Sequence, residues 1–87
     1  MSIDSDNEPK LAYPRQWTYA VIGLNEADLR AVAEEVLAAR TYEVDFANVS
    51  TKGKYISLRV TTLVQSEQDR NKIFKALNDH PATKMVI

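Results

Sequence analysis

The 87-residue sequence contains no cysteine, one histidine and two glycines. Without cysteine, the chain has no disulfide framework, no thiolate metal site and no cysteine nucleophile. A single histidine, His80, is a weak basis for a metal centre or a Ser-His-Asp triad, and the sequence has no G-x-S-x-G turn. The two glycines, Gly23 and Gly53, are too few for a phosphate-binding loop. We therefore expect a non-enzymatic protein that holds neither a metal ion nor a cofactor.

Long apolar runs and targeting features are also scarce. No apolar stretch approaches the roughly 20 residues that cross a bilayer. The acidic start lacks the basic residues and apolar centre of a signal peptide. Residues 1–12 hold few apolar side chains and include Pro9, so we predict a disordered N-terminal tail over 1–12 and one domain over 13–87. Together these features favour a cytoplasmic protein without membrane contact.

Charge is unevenly distributed, although the formal net charge is only −1. Residues 13–49 carry a net charge of −3, whereas residues 50–87 carry +4. Such a bipolar chain is suited to association with itself or with another protein. A homodimer or a complex with an unknown protein partner is therefore our expectation, and a solvated surface of mixed charge is the simpler alternative.

Periodicity predicts the first three elements. Residues 17–22 are rich in aromatic and β-branched side chains, as is typical of a strand, and Gly23 is expected to interrupt it. Asn25 is a favourable N-cap for a helix that reaches about residue 40. In residues 42–46 apolar and acidic side chains alternate, which predicts a strand with one buried side that includes Phe46.

The second half of the chain repeats this order. Residues 50–54 supply turn chemistry and residues 55–64 a second strand, so the two strands should form a hairpin. Ser66 and Asp69 resemble a capping box at the start of a helix that ends before Pro81. Residues 83–87 form a final strand at a sheet edge. The inward side of the second helix is predicted to consist of Ile73, Phe74 and Leu77.

The order β-α-β-β-α-β predicts an α+β fold, a ferredoxin-like two-layer sandwich. Right-handed crossovers pair the first strand with the third and with the last, giving a four-stranded antiparallel sheet with both helices on one face. The other face is left open. We expect an interaction surface there, unless the segment around Tyr13 covers it. Its candidate residues are Trp17, Tyr19, Tyr55, Ser57, Arg59 and Met85.

Two smaller features have functional and structural interpretations. The hairpin turn Lys52-Gly53-Lys54 is a candidate anion contact, because two ammonium groups and nearby backbone N–H groups would converge there. A solvated hairpin tip is the alternative. His80 lies near the end of the second helix, where we interpret it as a capping side chain rather than a metal ligand.

Two classes of binding domain share this order of elements. The RNA-recognition motif stacks bases on aromatic side chains of its central strands, a role open to Tyr19, Tyr55 and Arg59. The hairpin offers only one aromatic residue where that motif needs several, and the acidic second strand opposes phosphate binding. Regulatory domains of the ACT kind bind small molecules near a loop after the first strand, although the Asp-x-x-Gly turn usual there is missing. The corresponding candidate ligand loop here is Gly23, Leu24 and Asn25.

Four segments carry a more specific resemblance: residues 13–14, 19–23, 50–57 and 84–87. The most specific is a Ser-x-x-Gly-x-Tyr-x-Ser pattern formed by Ser50, Gly53, Tyr55 and Ser57. Together these segments resemble the YbeD-like family of small bacterial proteins of unknown function. The resemblance implies an ACT-like ferredoxin fold and a bacterial cytoplasmic protein, and it brings no established activity. Our leading hypothesis is a non-enzymatic protein-interaction or regulatory domain, followed by an ACT-like small-molecule sensor and then by single-stranded RNA binding.

Overall fold

The structure, a computed structural model, describes residues 12–50 and 53–87. Its elements are β1 (Arg15–Gly23), α1 (Glu26–Leu37), β2 (Tyr42–Val49), β3 (Ile56–Val64), α2 (Glu67–Asp79) and β4 (Thr83–Val86). The predicted order of elements is confirmed. Neither helix in these two ranges is long and apolar enough to cross a membrane. Apart from Ala12, the tail predicted over residues 1–12 lies outside the described residues.

The four strands form one antiparallel sheet in the order β2-β3-β1-β4. β1 pairs with β3 along its whole length, from Arg15 opposite Val64 to Gly23 opposite Ile56. β4 pairs with the other side of β1 and forms an edge. The ferredoxin-like topology and the edge position of the last strand are therefore confirmed.

Both helices begin at a side-chain cap. Asn25 Oδ1 accepts a hydrogen bond from the backbone N–H of Asp28 at 3.0 Å. Ser66 Oγ accepts one from the N–H of Asp69, also at 3.0 Å. Each cap satisfies an amide that the start of a helix leaves without an intrahelical partner. Both predicted helix starts are confirmed, whereas α1 ends at Leu37, before the predicted position near residue 40.

His80 is the residue that follows α2. Its Nδ1 accepts a hydrogen bond from the backbone N–H of Ala82 at 3.1 Å, and its Nε2 lies 2.8 Å from Glu35 Oε1. With Nδ1 acting as an acceptor, the ring proton belongs on Nε2, which donates to Glu35. His80 occupies the C-cap position of α2, but its side chain binds Ala82 beyond the helix and Glu35 of α1 rather than a carbonyl at the helix end.

The core lies between the two helices and one face of the sheet. Its buried apolar side chains are Tyr19, Val21, Leu29, Val32, Ala33, Leu37, Leu58, Val60, Val64, Ile73, Leu77 and Val86. Two residues predicted to face inward are 40–45% exposed, namely Phe46 and Phe74. Phe46 lies on the helix side of β2 but at the sheet edge, where no further strand covers it. Phe74 follows the buried residue Ile73, and successive residues of an α-helix are rotated by about 100°. The Phe74 side chain therefore lies away from the side of α2 that Ile73 and Leu77 bury.

Candidate functional site

In the described part of the chain, the side of the sheet opposite the helices is solvent-exposed, and we call it the open face. The open face results from the alternation of side chains along β3, where every second side chain is buried against the helices. The prediction of an uncovered second face on this strand is confirmed. The side chains that β3 presents on the open face are Ser57, Arg59, Thr61 and Leu63.

Apolar and charged residues occupy different parts of the open face. Ile22 and Met85 are cross-strand neighbours on β1 and β4, and Ile87 continues the row after β4. We call these three residues the apolar corner; Met85 is 51% and Ile87 71% exposed. The carboxylates of Glu43 and Asp45 project from β2 at the opposite edge. The open face therefore has an apolar edge and an acidic edge.

A groove of about 650 Å³ opens where the open face meets the β2–β3 hairpin. Its lining residues are Ile22, Asn48, Ser50, Tyr55, Ile56, Ser57, Lys84 and Met85. Among these described residues Lys84 carries the one formal charge, beside one amide and three hydroxyl groups. Within residues 12–50 and 53–87, no three His, Asp or Glu side chains lie close enough to hold a metal ion. The chemistry available in the groove is therefore binding through apolar contact, hydrogen bonds and one positive charge.

Ser50 builds the hairpin turn that borders the groove. Its backbone oxygen accepts from the N–H of Gly53 at 2.8 Å, and its Oγ accepts from the N–H groups of Lys54 and Tyr55, each at 3.1 Å. Gly53 has a φ of +70°, in the left-handed region that favours glycine. The Ser-x-x-Gly-x-Tyr pattern thus encodes a hydrogen-bonded turn.

The described N–H groups of the turn do not contribute to the anion contact predicted from Lys52, Gly53 and Lys54. The N–H groups of Gly53, Lys54 and Tyr55 all donate to Ser50, so they are not free to bind an anion. The anion contact through the two ammonium groups stays a prediction. Lys52 lies outside the described residues. The ammonium group of Lys54 lies 5.4 Å from the centre of the Tyr55 ring, beside the groove.

Trp17 and Tyr19 do not belong to the open face, so their assignment to the interaction surface is corrected. Trp17 is opposite Thr62 and Tyr19 is opposite Val60. Cross-strand neighbours share a face, and both partners are buried on the helix side. Tyr19 is 2% exposed and is not available to stack on an RNA base. The predicted residues that remain on the uncovered side are Tyr55, Ser57, Arg59 and Met85.

The segment around Tyr13 packs on the helix side rather than over the open face. The Tyr13 hydroxyl accepts a hydrogen bond from the Arg70 guanidinium at 3.0 Å. The same guanidinium lies 4.5 Å from the centre of the Trp17 ring, at a distance typical of a cation–π contact. Tyr13 itself therefore does not cover the open face, and residues 1–11 of the predicted covering segment lie outside the described residues. The Tyr13–Pro14 peptide bond, at the start of this segment, is cis.

The shifted pKa values belong to groups on the helix side. The Asp69 carboxylate accepts hydrogen bonds from the Arg40 guanidinium and from the backbone N–H of Gln65, which hold its pKa below the usual value. Burial, helped by the nearby Asp69 charge, raises the pKa of Tyr19 to about 12. Both groups lie on the helix side of the sheet, away from the open face.

The candidate ligand loop, Gly23 to Asn25, is explained by packing and capping. Gly23 is the last residue of β1 rather than an interruption of it. A Cβ at this position would lie 2.7 Å from Leu29 Cδ2 and 2.9 Å from the carbonyl oxygen of Ala82. Asn25 caps α1, and Leu24 is 52% exposed. None of the three lines the groove.

Five groove residues were not predicted as site residues from the sequence, namely Ile22, Asn48, Ser50, Ile56 and Lys84. Strict alternation along β2 would place Asn48 on the helix side with Val44. A β-bulge between Phe46 and Asn48 moves Asn48 to the open face instead, opposite Ser57. The composition of β2 contains no signal for this bulge. Ile22 and Lys84 could be placed only from the pairing of β1 with β4.

Comparisons with known proteins agree with the fold. The chain matches, over residues 8–87, a family described as a protein of unknown function, DUF493. It is 34% identical to a UPF0250 protein of Hahella chejuensis, over 97% of this chain and 98% of that protein. It is also 36% identical to the uncharacterized protein Cj0253 of Campylobacter jejuni, over 85% of each chain.

A solved structure shows the same architecture. The solution structure of protein HP0495 from Helicobacter pylori superposes with a TM-score of 0.79 at 27% identity, covering 100% of this chain and 97% of that one. The agreement extends over both helices and all four strands. The resemblance to the YbeD-like family is confirmed, and the chain belongs to the DUF493 family of small bacterial proteins of unknown function.

Proposed function

We propose that this protein is a non-enzymatic interaction domain that associates with a second copy of itself through the open face. The observation that carries the proposal is the apolar corner, in which Met85 is 51% and Ile87 71% exposed. Adjacent exposed apolar side chains are typical of contact surfaces. Their burial would contribute about 25 cal/mol for each Å² removed from water.

The sheet edges are less suitable than the open face for self-association. β2 presents Glu43 and Asp45 along its length and contains a bulge, and both features discourage pairing with another strand. In a symmetric antiparallel pair of β2 strands these carboxylates would face one another. β4, the other edge, has only four residues. Association through a face is therefore favoured over extension of the sheet.

Charge on the open face favours a second copy as the occupant. Glu43 and Asp45 lie at the β2 edge, whereas Lys84 lies on β4 at the other edge. A twofold axis parallel to the strands would place the β2 edge of one copy over the β4 edge of the other. Glu43 and Asp45 of each copy would then approach Lys84 of the other, at the margin of the apolar corner, which supports recognition of a copy over an unrelated surface.

Sedimentation equilibrium from about 10 μM to about 1 mM tests the proposal. The wild-type mass should rise from 9.8 kDa toward twice that value. Met85→Glu should weaken association at least about tenfold, since it places a carboxylate in the apolar corner and opposite the acidic edge of the other copy. Leu24→Glu is the matched control, because Leu24 is 52% exposed but lies outside the open face. A monomeric wild type over the whole range, or equal effects of the two variants, would refute the proposal.

A cytoplasmic location accompanies this proposal. A chain without cysteine gains nothing from an oxidising compartment, where small domains are commonly stabilised by disulfides. Fractionation of cells that express the full chain from its own promoter should recover it with cytoplasmic markers. Recovery with periplasmic or membrane markers would contradict this assignment.

A further inference from the structure

We propose that the groove beside the β2–β3 hairpin binds a small molecule that has an aromatic body and one negatively charged head group. At about 650 Å³ the groove has the size of a small-molecule site. Its lining residues come from all four strands of the sheet, so its floor is held by the backbone ladder. It is separate from the loop after β1, where the sequence had predicted a ligand.

The apolar part of the groove favours an aromatic body. Tyr55 and Met85 both line it and are 37% and 51% exposed, so an incoming ring can reach them. Aromatic rings stack on tyrosine, and thioether sulfur makes favourable contacts with ring edges. Ile22 and Ile56 complete the apolar lining.

The polar part of the groove favours an anionic head group. Lys84 lines the groove and forms no ion pair within the described residues. No carboxylate is among the described lining residues to compete for it. Ser57 and Asn48 add a hydroxyl and an amide as hydrogen-bond donors, and the Lys54 ammonium lies beside the Tyr55 ring. A carboxylate bound here would gain charge-assisted hydrogen bonds.

The ligand would also influence self-association. Ile22 and Met85 belong to both the groove and the apolar corner, so a bound ring would occupy surface that a second copy needs. Ligand and second copy would therefore compete. This competition rests on the proposed function, whereas binding in the groove does not.

A two-dimensional ¹H–¹⁵N NMR titration of the full chain with 3-phenylpropionate tests the inference. Resonances of Ser57, Lys84 and Met85 should shift and saturate in the millimolar range. The amine 3-phenylpropylamine has the same ring and the opposite charge, and it should bind at least about tenfold more weakly. Lys84→Gln should weaken binding of the carboxylate by about the same factor. Lys72→Gln, an exposed position on α2, is the control and should bind as the wild type does.

Three results would overturn the inference: no shift of the groove resonances at about 10 mM carboxylate, equal affinity for the amine, or undiminished binding by Lys84→Gln. Sedimentation of the same samples separates this inference from the proposed function. If the chain stays monomeric but binds the carboxylate, self-association is disproved and ligand binding in the groove is supported. If the chain dimerises but does not bind the carboxylate, self-association is supported and ligand binding in the groove is disproved.

Discussion

Thr83 illustrates the cost of a single buried polar atom. The residue is 8% exposed, and its Oγ1 has no hydrogen-bond partner among the described residues. Leaving a buried hydroxyl unpaired costs about 1–3 kcal/mol. Thr83→Val keeps the side-chain shape and removes that hydroxyl, so it should raise the free energy of unfolding by about 1 kcal/mol in urea denaturation.

Thr62 provides the matched control for this substitution. It is 1% exposed, but its hydroxyl donates to the carbonyl oxygen of Thr41 at 3.0 Å. Thr62→Val should therefore lower the free energy of unfolding by about 1 kcal/mol, the opposite sign to the effect at Thr83. Changes of the same sign at both positions would contradict this account.

Ionisation of the buried Tyr19 hydroxyl should lower the stability of the fold at alkaline pH. Its buried hydroxyl donates to the Arg70 carbonyl oxygen at 2.8 Å, and burial raises its pKa to about 12. In the unfolded chain tyrosine ionises near pH 10. The stability that Tyr19 contributes is therefore fully present below about pH 10 and is lost as the pH rises toward 12. The free energy of unfolding of the wild type should be about 1 kcal/mol larger than that of Tyr19→Phe at pH 8, and this difference should shrink above pH 10.

Urea denaturation at pH 8, 10 and 11 measures the predicted difference. Tyr55→Phe is the control, because the Tyr55 side chain lies on the exposed side of the sheet and should show no such trend. A constant difference between wild type and Tyr19→Phe across this range would mean that the phenol does not control the alkaline loss of stability.

At the scale of elements, Asp69 connects the start of α2 to the segment that follows α1. Its carboxylate binds the Arg40 guanidinium and the Gln65 N–H, and the pKa of Asp69 is lowered as a result. A lowered folded-state pKa gives stability that is present above the unfolded value near 4 and is lost as the pH falls through the folded value. Asp69→Asn should destabilise the fold by about 1–3 kcal/mol at pH 7 and by progressively less below pH 4.

Thermal unfolding from pH 7 to pH 2 provides the measurement for Asp69→Asn. Asp79→Asn is a suitable control, because Asp79 pairs with Lys75 on the exposed surface of α2, where ion pairs contribute little. If the Asp69 variant lost the same stability at pH 2 as at pH 7, its effect would not arise from the charged carboxylate.

The elements themselves were predictable because local chemistry marks them. Asn25 and Ser66 cap the helices, and the alternation along β3 separates its two faces. Which side chains of β1 lie on the helix side of the sheet was not predictable in the same way, because both faces of this strand carry apolar residues. Only the pairing with β3 decides that Tyr19 is buried and Ile22 lines the groove. Pairing register is a long-range property that local periodicity does not contain.

At the scale of the whole molecule, the candidate site is assembled from distant parts of the chain. Ile22, Ser57 and Met85 belong to three different strands and meet only after the sheet forms. The sequence therefore predicted an uncovered sheet face correctly but did not predict which residues line the groove on it. The charges of the open face are also separated only by the fold, because the acidic residues of β2 and Lys84 of β4 lie at opposite edges of the sheet.

One core joins all six elements, and this predicts cooperative unfolding. The buried cluster contains residues of both helices and of β1, β3 and β4, with Tyr42 and Val44 of β2 packed against it. Trp17, the single tryptophan, contacts this core and lies under Arg70 of α2, so its fluorescence reports the contact between β1 and α2. Far-ultraviolet circular dichroism reports the helices.

Because loss of either layer would expose the same core, the two signals should follow one transition in urea with coincident midpoints. A slope of about 1 kcal/mol per molar urea is expected for a chain of this size. If fluorescence changed at a lower urea concentration than circular dichroism, the contact between β1 and α2 would unfold separately. Stability changes measured at Thr83 or Asp69 would then report only part of the molecule, since a single free energy of unfolding would no longer describe it.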